Sequence, residues 1–495
     1  MKEFERGIMN AFRMWVMVGL SASYALCLCP MATGQNESGR PNVLFIISDD
    51  LSSGALGCYG NESVVTPNLD RLAKSGVKFE RAYCQYPVCG AARAALMSSM
   101  YSPSINIMGN GGAGRFDASI GNHRSWAEHF RLEGYHSARV GKIYHMRVPG
   151  DITAGVDGPD HPDSWSERIN CPGPEWMSYG RWNHITNEKL NMNPGKHYGL
   201  GFGTAFFAVE GHTDGSEQPD YLAADHAIRI MQDNQDQPFF LAVGFVRPHV
   251  PLVAPKTWFD RYEASQLPVA GVPDGDWDDI PKAGISMNSR GIGLENNTQK
   301  KQEVLEAYYA SVSFMDEQVG RVLRSLDQLG LRKNTIVIFT SDHGYHLGEH
   351  DLWQKVSLHE ESVRVPLIIS GPGVEEGIRN DLVQHVDLYP TISAMAGLDI
   401  PNACQGMNIE AALKGGELND RHSIHSCTGR GHLWRTDRYA YIEYNDGSRE
   451  LYDMHNDPRQ YINLAHDPDD SVGGIIDELS SDLHDFLDRL PKLGR

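Results

Sequence analysis

Val43-Leu44-Phe45-Ile46-Ile47-Ser48-Asp49-Asp50 and Thr335-Ile336-Val337-Ile338-Phe339-Thr340-Ser341-Asp342-His343-Gly344 share one pattern. Each is a short apolar, β-branched run with acidic residues just beyond it. Such runs predict buried parallel strands, covered on both faces. In an open α/β sheet, ligands sit at the carboxyl ends of the strands. Two such ends can bring Asp49, Asp50 and Asp342 around one hard cation. Between the runs lies Cys89-Gly90-Ala91-Ala92-Arg93, at a predicted helix start. A cation, a cysteine and a helix N-terminus together suggest chemistry on an oxyanion.

The surrounding chain supports an α/β fold. Thr66-Pro67-Asn68-Leu69-Asp70 opens a helix that Gly76 closes, and Ala91 to Met100 predicts another. Phe239 to Phe245 reads as a buried strand ending at Val246-Arg247-Pro248-His249. Leu305, Tyr308, Val312, Met315, Val319, Val322 and Leu326 recur at helical spacing, and Gly330 stops that helix. It feeds the strand from Thr335, and Val365 to Ser370 is a further strand. Alternating helices and strands predict a large, mostly parallel sheet sandwiched by helices. Residues 150–200 read as a long loop region near the substrate side. After about residue 400, strand-like runs such as Tyr439 to Tyr444 flank the turn signal Asn445-Asp446-Gly447. Ser471 to Leu490 predicts a terminal helix. The expected organisation is a signal peptide over 1–35, a catalytic domain over 36–400 and a smaller α+β subdomain over 401–495.

The 495 residues carry a net charge of −20, which argues against a broad nucleic-acid-binding face. Attraction of an anionic substrate must come from a few cations focused in one pocket. Met14 to Leu28 is too short for a membrane span and reads as a signal-peptide core. The chain is expected to be exported, periplasmic or secreted, with a lipoprotein form through Cys27 or Cys29 open. Of the cysteines beyond the leader, Cys404 and Cys427 are a candidate bridge.

Each candidate residue has a plainer reading. Adjacent Asp49 and Asp50 suit a solvated turn, and Asp342 suits a helix cap. Acids gathered at one sheet edge would repel, so the two segments together favour a metal. Calcium suits three carboxylates better than zinc does. A lone cysteine is usually buried core. Around Cys89, however, small residues let a ligand approach, and Arg93 lies one helical turn on.

These stretches resemble the type I sulfatases of the alkaline phosphatase superfamily. The resemblance rests on Pro41 to Asp50, Cys89 to Arg93, Val140-Gly141-Lys142, Ser341 to Gly344, and Leu347-Gly348-Glu349-His350 with Trp353 and Lys355. It extends through Leu451-Tyr452-Asp453 and Asn456-Asp457-Pro458. It implies an alkaline phosphatase-like fold and oxidation of Cys89 to formylglycine by a maturation enzyme. One hydroxyl of the hydrated aldehyde attacks sulfur. Deprotonation of the other then expels sulfate and reforms the aldehyde. The resemblance places Asp49, Asp50, Asp342, His343 and modified Cys89 around one Ca2+ ion. It gives Arg93 to the formylglycine hydroxyl and Lys142 and Lys355 to sulfate oxygens. His145 then orients or deprotonates the nucleophile, and His249 is the candidate general acid. His212, His346 and His350 are second-rank candidates.

A narrower resemblance runs through Val140 to His145 and Gly244 to Pro251. These look like iduronate-2-sulfatase and its bacterial relatives, which implies an exo-acting enzyme on a sulfated carbohydrate. Arg247 and His184 are candidates to meet a sugar carboxylate. Two positions depart from the family pattern. Ala91 stands where proline is usual, and Ser98-Ser99-Met100 replaces threonine-glycine-arginine, the tail read during maturation. Two alternatives stay open: a phosphodiesterase or phosphonate hydrolase of the same superfamily, and a silent glycan-binding homologue with an unmodified Cys89.

Overall fold

A computed structural model describes residues 39–186, 205–285, 292–466 and 469–493. The signal-peptide and lipoprotein expectations fall outside these residues. Strand β1 (Asn42–Asp49) is wholly buried and lies near the middle of an eight-stranded sheet. The other strands are β2 (Val77–Tyr83), β3 (His136–Gly141), β4 (Glu167–Ile169), β7 (Phe239–Pro248), β9 (Thr335–Ser341), β12 (Arg364–Ser370) and β13 (Gly377–Gln384). Their order is β13-β2-β12-β9-β1-β7-β3-β4. β1 is parallel to both β9 and β7, and β7 is parallel to β3. β12 runs antiparallel to β2 and β9, so the sheet is mostly rather than wholly parallel.

Alternation along β1 sorts its side chains onto two faces. Val43, Phe45 and Ile47 pack in a core with helices α2 (Cys89–Ser98), α3 (Trp126–Leu132) and α6 (Leu388–Met395). Leu44 and Ile46 pack in a second core with α1 (Pro67–Lys74), α4 (Pro219–Asp233) and α5 (Thr298–Gln328). The apolar stripe from Leu305 to Leu326 is buried along α5, whose observed length is 31 residues. α1 ends at Lys74 with Ser75 as its cap, one residue before the expected glycine.

Residues 150–186 are not simply loop. They contain β4 and β5 (Gly180–His184), and β5 joins β6 (Phe207–Gly211) and β8 (Leu252–Pro255) in a small sheet. The two-residue strands β10 (His346–Leu347) and β11 (Trp353–Gln354) form a hairpin. Near the C-terminus, β14 (Ser423–Thr428), β15 (Gly431–Thr436), β16 (Tyr439–Tyr444) and β17 (Arg449–Asp453) form an antiparallel meander. Helix α7 (Asp470–Arg489) buries Ile476, Leu479 and Leu483 against Trp434, Tyr441 and Leu451 of this meander. Cys404 and Cys427 are both free thiols, contrary to the expected bridge. Cys427 is buried with its sulfur toward the Gln85 carbonyl, whereas Cys404 is part-exposed. Among the described residues no helix is long and apolar enough to cross a membrane.

Candidate active site

β1 and β9 pair in register up to Ser48 and Ser341, so their acidic ends emerge side by side. Oxygens of Asp49, Asp50 and Asp342 lie within 4.8 Å of one another, and all three residues are buried. Asp50 adopts φ +62°, a left-handed conformation costly for a non-glycine residue. It is held by its own N–H to Asp342 Oδ1 at 3.2 Å and by Tyr308, whose hydroxyl donates to the Asp50 carbonyl at 2.6 Å. Ser341 Oγ accepts from Leu51 N–H at 3.0 Å, tying the two strand ends together.

Cys89 is the first residue of α2 and is 1% exposed. Its Sγ lies 3.8 Å from Asp50 Oδ1 and 3.4 Å from His343 Nε2. Lys355 Nζ donates to the same sulfur at 3.4 Å and to Asp50 Oδ1 at 2.5 Å. Val88, which precedes the helix, has no side chain that caps it. Asn110 does so from outside, accepting from Gly90 N–H at 2.8 Å.

Arg93 is 1% exposed and acts as the hub. Its guanidinium donates to Asp342 Oδ2 at 2.9 Å, Asp49 Oδ1 at 3.2 Å, and the carbonyls of Lys142 and Ile143 at 2.5 and 3.0 Å. Lys142 Nζ donates to Asp49 Oδ2 at 2.5 Å. It sits where β3 ends, and glycine is required there twice. Gly141 has φ +69°, and a Cβ on Gly141 would meet the Gly244 carbonyl oxygen at 2.2 Å.

Burial alone would raise the Asp49 and Asp50 carboxyls. Lys142, His249 and Arg93 outweigh it and hold Asp49 well below its usual range. His249 and Lys355 outweigh burial at Asp50 and hold it below its usual range. The Cys89 thiol is raised by burial and Asp49, yet Lys142 and Lys355 leave it lowered overall. His145 is pushed down to about 3 by burial and Lys142, so its imidazole stays neutral. His249 Nδ1 donates to the Val250 carbonyl at 2.6 Å, which turns Nε2 toward Asp50 Oδ2 at 3.6 Å. His343 Nδ1 likewise donates to the Gly344 carbonyl, freeing Nε2 to face Asp50 and Cys89.

Buried acids converge on a cysteine at a helix start, with three cations woven among them. A model of the Sulfatase family matches residues 41–398, more than half of the chain.

The chain belongs to the sulfatase family.

A second family model, N-sulphoglucosamine sulphohydrolase C-terminal, matches residues 348–489. This sulfatase is 32% identical to a sulfatase of Formosa agariphila over 442 residues, with 87% of this chain and 84% of that protein covered. It is 30% identical to iduronate 2-sulfatase of Homo sapiens, covering 82% and 78%. Its fold superposes on a phosphonate monoester hydrolase from Silicibacter pomeroyi with a TM-score of 0.73 at 22% identity, covering 92% and 96% of the two chains. The protein is accordingly a sulfuric ester hydrolase of alkaline phosphatase-like architecture.

Asp49, Asp50, Cys89, Arg93, Lys142, His249, Asp342, His343 and Lys355 of this sulfatase meet in one contact network. His145 is 92% buried beside it, with Nδ1 unpartnered among the described residues. Arg247 does not reach out to a substrate. It is fully buried, donating to Glu175 Oε1 at 2.6 Å and to the carbonyls of His249 and Pro251. A strand-end arginine read as available is here a brace for the turn that carries His249. His184 is exposed and edge-on to Phe207. His212 is exposed against Tyr179, while His346 and His350 hydrogen-bond Ser357 and Asp276. Three positioning residues escaped sequence reasoning: Tyr308, Asn110 and Asp220. Asp220 accepts from Val246 and Arg247 N–H at 2.7 and 3.0 Å and so fixes the end of β7. The sequence signal for it is slight, an aspartate directly after Pro219, and the structure places it buried in the first turn of α4.

Proposed function

We propose that this sulfatase is a Ca2+-dependent enzyme that removes sulfate from a sulfated carbohydrate, using formylglycine made from Cys89. The observation that carries this reading is the position of Cys89 Sγ, shared by Asp50, His343 and Lys355. That sulfur stands in for the formylglycine hydroxyl. Three carboxylates and the His343 imidazole form an oxygen-rich donor set that fits calcium. Held by Asp49, Asp50, Asp342 and His343, a divalent cation would supply Lewis-acid chemistry, lowering the hydroxyl's pKa and attracting sulfate oxygens.

The chain's own residues supply the rest. The charges of Asp49, Asp50 and Asp342 are balanced by Arg93, Lys142 and Lys355, so the added cation leaves the pocket positive toward a sulfate ester. Arg93 holds two of the carboxylates and orients the nucleophile. Lys142 and Lys355 stabilise negative charge on sulfate oxygens. His145, neutral, takes the nucleophile's proton or orients its hydroxyl. His249 gives a proton to the departing alcohol from Nε2, since Nδ1 is committed to Val250. Residues 36–400 form the catalytic part and 401–495 its C-terminal subdomain. Residues 1–35 direct export to the periplasm or outside the cell, where a maturation enzyme's product acts.

Likeness to iduronate 2-sulfatase at 30% identity supports an exo-acting enzyme on a polysaccharide-derived sugar. Purified enzyme is offered defined sulfated mono- and disaccharides, and released inorganic sulfate is measured with and without a calcium chelator. Release that calcium restores after chelation supports the reading. Turnover of phosphonate or phosphate diesters in preference to every sulfate ester overturns it.

A further inference from the structure

The meander carries a second cluster of ligand-type side chains. His425 and Cys427 are two residues apart on β14 and share a face. His432 on β15 stands directly opposite Cys427 and so joins that face. A ring nitrogen from each histidine and the cysteine sulfur lie within 4.8 Å of one another. His425 Nε2 and His432 Nδ1 are 3.0 Å apart. Cys427 is fully buried, a free thiol whose sulfur meets the Gln85 carbonyl at a weak 3.7 Å. His425 is 1% exposed, and its Nδ1 has no partner among the described residues. Phe486 of α7 covers the cluster, 5.0 Å from the His425 ring and 5.1 Å from Trp434. His432 is only part-buried and opens the cluster toward solvent.

Without an ion, the buried Cys427 thiol keeps only its weak contact to Gln85 and the two rings share a single hydrogen. A thiolate and two imidazoles, with no carboxylate, form a soft set that rejects calcium and suits zinc or cuprous copper. We propose that His425, Cys427 and His432 bind one thiophilic cation, Zn2+ or Cu+, beneath the C-terminal helix. Binding forms one metal–sulfur and two metal–nitrogen bonds. The thiol proton leaves to solvent. The hydrogen between the rings moves to the far nitrogen of its own ring, and the ion keeps its oxidation state. The site is separate from the catalytic carboxylates and does not depend on the reaction proposed above.

The test uses the full-length chain with Cys89→Ser, so that Cys89 contributes no thiolate, loaded first with Ca2+. Co2+, a coloured substitute for Zn2+, is titrated in, and Cu+ is offered against a chromophoric Cu+ chelator. The expected result is one equivalent of Co2+ with a thiolate charge-transfer band that Zn2+ displaces, or one equivalent of Cu+ taken from the chelator. Which arm responds identifies the ion. Cys427→Ser should abolish the band, and His432→Ala should weaken binding at least tenfold. His432 is part-exposed, so its variant keeps the test valid where the Cys427 variant does not fold. In a chain that keeps Cys89, the His432 variant should hydrolyse an aryl sulfate at the parent rate. Folded protein with neither a charge-transfer band nor copper uptake overturns the proposal. So does binding that His432→Ala leaves unchanged.

Discussion

Gly244→Ala puts the tightest contact in the site to the test. A Cβ at 244 would lie 2.0 Å from the Lys142 carbonyl oxygen and 2.8 Å from the Lys142 nitrogen. Both are main-chain atoms, so no side-chain rotation relieves the clash. Strands β3 and β7 must part by about 1 Å or more to reach ordinary contact. That breaks the 3.1 Å hydrogen bond from Lys142 N–H to the Gly244 carbonyl, a loss of about 1 kcal/mol. Overpacking adds about 1–3 kcal/mol, for a total of about 2–4 kcal/mol. The displaced Lys142 carbonyl is also an acceptor for Arg93, so the movement reaches Asp49 and Asp342. A displacement of about 1 Å in a positioned group costs about 100-fold in rate. Urea unfolding and aryl sulfate turnover measure the two effects, with maturation of Cys89 checked by mass. Turnover within twofold of the parent, with an unchanged urea midpoint, would refute the claim that this glycine pair sets the position of Lys142.

Lys355→Ala should lower kcat on an aryl sulfate by about 100- to 1,000-fold while the protein stays folded by circular dichroism; unchanged kinetics would remove its role on sulfate. His145 has a folded pKa of about 3, so below its unfolded value near 6.5 the unfolded chain takes up a proton that the native state refuses. This group's share of stability should therefore be lost as pH drops from about 6.5, by up to about 1.4 kcal/mol per pH unit, alongside that of other buried imidazoles held low such as His385, and His145→Gln should make the overall slope shallower by that amount. An identical slope in urea titrations of the variant would contradict the assignment. Val356, beside Lys355, sits at φ +76°, a conformation β-branched residues avoid. Val356→Gly should raise stability by about 0.5–1 kcal/mol, strain relief exceeding glycine's entropy; a fall in the urea midpoint would show that the backbone there is not strained.

Much of this arrangement was legible because its cause is local. The runs ending at Asp49 and Asp342 carry unbroken apolar cores, Val43 to Ile47 and Ile336 to Phe339, in strands buried at every residue, and they place the acids at one sheet edge. The spacing from Leu305 to Leu326 marks the buried stripe of α5 directly. What escaped depends on partners far along the chain. Val365 to Ser370 is as apolar as the parallel pair β1 and β9, so composition does not reveal that β12 runs antiparallel to β9. Tyr308 reads as one more core residue on its helix, yet its hydroxyl holds the Asp50 backbone across 258 positions of sequence. Arg247 looks like a free cation until Glu175, from another segment, is placed against it. Asn110 accepts from the N–H of Gly90, 20 residues earlier in the first turn of α2, a role no neighbouring residue announces.

The proposed mechanism requires Cys89 to leave the ribosome as a thiol and to work as an aldehyde hydrate beside the carboxylates. The mass of the tryptic peptide spanning residue 89, taken from active enzyme made in its native host, tests this most directly. A peptide lighter than the thiol form that reacts with an aldehyde-specific probe is the predicted result. A fully active enzyme whose peptide carries only unmodified cysteine would contradict the account.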